Sequence, residues 1–177
     1  MTMSGFVILM ILVSGIVALA SLVFSVIMIW NFSKKKTIGT ALLALFYGII
    51  ALYHIVHSVM MGIAANNPLT LSHRILFIIY VASLLLSYYV LYMFACRHIL
   101  KDNDFVKTIV LFIMLAVNGA IIGMMSYELL LNIEPSIFYV VDPKPEWNIS
   151  HFVPIPLVMF TLYLSCVLFV ELRIIIR

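Results

Sequence analysis

Apolar residues run along this chain in long blocks rather than in alternation. Five stretches are almost free of charge, approximately Gly5–Trp30, Ile38–Ala64, Ile75–Cys96, Val106–Leu131 and Phe152–Arg173. Each exceeds the roughly 20 residues that an α-helix needs to cross a hydrocarbon core of about 30 Å. None carries Lys, Arg or Asp in its core. In lipid the backbone must satisfy its own hydrogen bonds, so these stretches are expected to be helices and not strands. The first lacks a basic leader and is too long for the apolar part of a signal peptide, so it is read as a span. The fold expected is an all-α integral membrane protein, one bundle of five transmembrane helices over residues 1–177.

The polar connections alternate in charge. Lys34, Lys35 and Lys36 follow the first stretch, and Arg97, Lys101 and Lys107 surround the third connection. Arg173 and Arg177 lie at the end of the fifth. The other side holds only Arg74 and Lys144, so the ten Lys and Arg divide eight to two. Basic loops stay in the cytoplasm. The N-terminus is therefore expected outside and the C-terminus in the cytoplasm. The longest outer connection, 132–151, contains Pro135, Pro143 and Pro145, which disfavour a long helix. Its Phe138, Tyr139 and Trp147 suit the headgroup level.

Composition agrees with this picture. Of the 177 residues 66% are hydrophobic and 10% charged, whereas soluble domains are nearer half apolar and a quarter charged. The net charge of +3 gives no sign of a nucleic-acid partner; the basic residues read as topology signals and lipid contacts. Cys96 and Cys166 fall near cytoplasmic ends, where a structural disulfide is not expected. The plasma membrane is the expected location, since no retention or transit signal is visible.

The residues that bear on chemistry are few. His54 and His57 lie three apart on one face of the second stretch, about 15 and 10 Å from its outer end at 1.5 Å per residue. Ionisable groups at such depth usually face a bundle interior or cavity. One expectation is that they hydrogen-bond across helices, with Tyr80 and Thr161 at matching depth. The sharper one is a copper or haem b site in the outer half, completed by Met124 and Met125, since imidazole and thioether suit copper and a His–Met pair suits haem. A third reading places His54, Tyr80, Tyr88 and Asn118 around a polar cavity for sensing or transport of a small molecule. Ser58 and Gly62, and Gly119 and Gly123, are pairs of small residues four apart that let helix backbones approach, within the chain or with a partner.

No Gly-rich phosphate loop, CxxC, HExxH or GxSxG occurs, so nothing supports an enzyme. The function expected first is a non-enzymatic membrane subunit or scaffold packing against other membrane proteins or itself in the bilayer. A metal-handling or redox subunit and a sensor or transporter module are the alternatives.

Overall fold

A computed structural model describes residues 5–64, 70–98, 104–131, 139–141 and 145–147. It contains helices α1 (Gly5–Lys35), α2 (Ile38–Ala64), α3 (Leu71–His98) and α4 (Asp104–Leu131), followed by strands β1 (Tyr139–Val141) and β2 (Pro145–Trp147). All four helices are long and apolar enough to cross a bilayer. The chain is thus a multi-pass integral membrane protein, with lipid as the solvent of its outer faces. The fifth apolar stretch, Phe152–Arg173, lies outside the described residues, as do Thr161 and Cys166.

Helices α1, α3 and α4 extend beyond their apolar stretches into flanking polar residues, whereas α2 matches its own. Thr70 caps α3, its hydroxyl accepting from the His73 amide at 3.3 Å, so the helix begins before Ile75. Asp104 opens α4, where a carboxylate opposes the helix dipole favourably, and pairs with Lys107 at 3.2 Å. At the end of α1, Lys34 lies over the Trp30 ring, 4.8 Å from its centroid. The helix closes at Lys36, whose backbone takes the left-handed conformation, φ 48°. Its amide donates to the Phe32 carbonyl at 2.7 Å, an αL cap usually assigned to glycine.

Each helix packs on the next in sequence, as α1 on α2, α2 on α3 and α3 on α4. The face α1 turns inward is a stripe of small residues, Ser14, Ala18, Ser21 and Ser25, all buried. It meets Ala44 and Gly48 of α2. The Ser25 hydroxyl donates to the Ala44 carbonyl at 2.9 Å, and a β-carbon on Gly48 would stand 3.4 Å from the Ser25 Oγ. Small side chains permit this closeness, and close approach is what drives helix association where no hydrophobic effect operates between helices. The main apolar core lies farther along, where Met60 of α2, Phe77, Val81 and Leu85 of α3, and Ile121, Met125 and Leu129 of α4 form one cluster.

Basic helix ends gather on one side of the bundle. Lys34 and Lys35 close α1, and Arg97 and His98 close α3. The His98 ring lies over Gly39, so close that a β-carbon there would stand 2.5 Å from its Nε2. At the opposite end an Arg74 Nη1 donates to the Leu129 carbonyl at 3.4 Å, joining the start of α3 to the end of α4.

Among the described residues there is one departure from an all-helical chain. In the proline-rich connection, β1 and β2 pair antiparallel, with Tyr139 opposite Trp147, Val140 opposite Glu146 and Val141 opposite Pro145. Pro145 is tolerated at the end of a two-stranded pair, where its missing N–H breaks no continuous ladder.

Candidate functional site

Polar side chains converge where α1, α2 and α3 meet in the C-terminal half of α2. Tyr53, His54 and His57 all come from α2. Positions four apart stand one above the other on a helix, so Tyr53 and His57 frame a slot one turn high. The Tyr80 ring of α3 fills it. Its centroid is 4.5 Å from Tyr53, at an interplanar angle of 21°, and 5.4 Å from His57, at 29°. The Tyr53 and Tyr80 hydroxyls are hydrogen-bonded at 2.7 Å.

His57 also reaches α1. Its Nδ1 shares a hydrogen bond with the Ser14 Oγ at 2.8 Å. One imidazole therefore touches both neighbours of α2, and it lies in the notch between them. His54 stands edge-on to Tyr53, with centroids 4.9 Å apart at 85°. Its Nδ1 is buried and has no hydrogen-bond partner among the described residues. The Ser58 hydroxyl donates to the His54 carbonyl at 3.0 Å, a bond within α2.

His57 thus hydrogen-bonds across helices to Ser14 and stacks on Tyr80, whereas the His54 side chain makes no such bond through its Nδ1 among the described residues. Two members of the site had no place in the sequence reading. Ser14 sits in a long apolar run, where a serine reads as merely tolerated. Its signal is the spacing of Ser14, Ala18, Ser21 and Ser25, which puts four small residues on one helix face. Tyr53 could have been found from its register, one turn before His57.

The other expected site residues are distributed elsewhere. Met125 is fully buried in the α3–α4 core, whereas Met124 is 50% exposed on the outer side of α4. Successive helix positions diverge by about 100°, so the two methionines cannot both turn toward the histidines. Among the described residues no three His, Cys, Asp or Glu side chains stand close enough to hold a metal ion.

Asn118 is buried between α3 and α4. Its Nδ2 donates to the Leu85 carbonyl at 3.3 Å, and its Oδ1 is buried without a partner among the described residues. Tyr88 is half-buried, two turns along α3 from Tyr80. The residues named for a single polar cavity are therefore split, with Tyr80 facing α2 and Asn118 on the α3–α4 contact.

Gly119 and Gly123 are exposed on α4, and a β-carbon on either, or on Gly62, would meet no atom within 4 Å. The packing face of α4 is instead Met114, Asn118, Ile121, Met125 and Leu129, all buried. Where the start of α3 meets the end of α4, His73 and Glu128 are buried, and the Arg74 Nε is buried without a partner among the described residues.

No family model matches the chain, and neither the curated proteins nor the solved structures contain a significant match to it.

Proposed function

We propose that this protein is a non-enzymatic membrane subunit whose work is to pack against other membrane proteins. In this reading it has five spans, with its N-terminus outside and its C-terminus in the cytoplasm of a cell with its plasma membrane as the host. The observation that carries the packing role is the outward face of α4. There Ala116, Gly119, Ala120 and Gly123 are all exposed. Small residues make poor lipid contacts and good helix contacts, because they let a second backbone come close enough for extensive van der Waals contact. The gathering of Lys34, Lys35, Arg97 and His98 at one end supports the orientation.

The test is extraction of the tagged chain from its native membrane in mild detergent, followed by size-exclusion chromatography. Metal content and a visible spectrum are read on the same peak. The proposal expects a species larger than one chain, containing other membrane proteins. Gly119→Ile with Gly123→Ile should release a single chain of unchanged helix content. A wild-type chain that elutes alone with stoichiometric copper or a haem Soret band would overturn the proposal and favour a metal site at His54 and His57.

A further inference from the structure

We propose that the notch around His54, His57 and Tyr80 binds a lipid-soluble molecule with a planar, oxygen-bearing ring of the quinone type. The case begins with hydrogen-bond accounting. Tyr53 and Tyr80 own one hydroxyl hydrogen each, and the single bond between them at 2.7 Å uses one. The second hydrogen is left to donate elsewhere. His57 spends its Nδ1 on Ser14, so its Nε2 is open as a donor or an acceptor, depending on the tautomer. The His54 Nδ1 is buried and unpartnered among the described residues. A buried polar group left unsatisfied costs about 1–3 kcal/mol, and at this depth water is a poor substitute.

Three open hydrogen-bonding positions thus lie within one turn of α2. Tyr53, His54, His57 and Tyr80 are all half-buried, so the described helices do not seal them. A guest can enter laterally from the bilayer between α1 and α3 with no aqueous route. The chemistry of the guest follows from the lining. The rings of Tyr53, Tyr80 and His57 are stacked, and a planar ring extends such a stack. The imidazoles offer a donor in one tautomer and an acceptor in the other. A quinone oxygen accepts, and the corresponding hydroquinone oxygen also donates, so this class suits either tautomer. A charged guest would bring a desolvation cost that no described ion in the notch offsets. No electron transfer is part of the proposal; it concerns binding alone.

The experiment uses the full chain in lipid nanodiscs, titrated calorimetrically with a decyl-tailed 1,4-benzoquinone against empty nanodiscs. The expected result is saturable binding of one equivalent beyond simple partition into lipid. Tyr53→Phe combined with Tyr80→Phe keeps both rings and removes both hydroxyls, so that no tyrosine hydrogen is left to donate, and His54→Phe removes the orphaned nitrogen. Each should weaken binding roughly fivefold to tenfold, the worth of one hydrogen bond. Asn118→Ala, on the α3–α4 contact, should leave affinity unchanged. Circular dichroism and a single symmetric elution peak verify that each variant is folded. Heats indistinguishable from those of empty nanodiscs would overturn the proposal, as would a folded Tyr53→Phe/Tyr80→Phe double variant and a folded His54→Phe variant that both bind like the wild type.

Discussion

Ser14 and Ser25 sit on the same stripe of α1 and serve different ends. Ser25 donates to a carbonyl of α2 and lies against Gly48, so its size matters more than its hydroxyl. Ser25→Leu should force α1 and α2 apart and cost about 1–3 kcal/mol, the usual penalty of overpacking, read as a lower midpoint of thermal unfolding in detergent. Ser14 acts through its hydroxyl, which engages His57. Ser14→Ala should lower stability by only about 0.5–1 kcal/mol, the typical worth of an interhelical hydrogen bond in a membrane. A second serine result equal to the first would contradict this division of roles. That His54 and His57 lie on one apolar helix was legible from their place in an apolar stretch. Their partners were not, because Ser14 lies 43 positions from His57 and such pairings depend on the packing of helices.

At the scale of the element, α4 carries the sharpest contrast. Met125 is fully buried and its neighbour Met124 is 50% exposed. Met125→Ala should destabilise by about 2 kcal/mol, the low end for a core methionine, because lipid rather than water is the competing environment. Met124→Ala should stay within about 0.5 kcal/mol, as for substitutions away from a packed core. Thermal unfolding of the two variants side by side decides the rotation of α4. Equal losses would mean that Met124 is covered too, by a partner or by residues outside those described.

Helix existence was legible for four of the five apolar stretches, and the fifth lies outside the described residues. Helix ends were less so. The caps at Thr70 and Asp104 lie in polar sequence outside the apolar stretches, where a hydropathy pattern has no signal. The β1–β2 pair was not legible either. Two three-residue strands separated by Asp142, Pro143 and Lys144 have no periodicity to read, and their pairing rests on backbone bonds. The small pairs on α4 were legible as a feature but not in direction, because a glycine pair does not say which side its neighbour occupies.

For the whole molecule, the decisive relation is between charge and path. The chain turns after Lys35, and His98 of α3 returns to that same end over Gly39, while Arg74 and Leu129 meet at the other. Four helices long and apolar enough to cross a membrane, joined by the fifth span proposed for Phe152–Arg173, give a path on which the basic clusters are expected on one membrane side. The central claim is that the chain crosses the membrane repeatedly in this alternating order. The most direct test is cysteine accessibility in intact cells, on a chain whose Cys96 and Cys166 are replaced by serine and which carries one new cysteine at Lys35, Asn66, Lys101, Glu146 or Arg177. A membrane-impermeant maleimide should label positions 66 and 146 from outside, and positions 35, 101 and 177 only after the membrane is opened. Labelling of 35 and 66 from the same side would contradict the account.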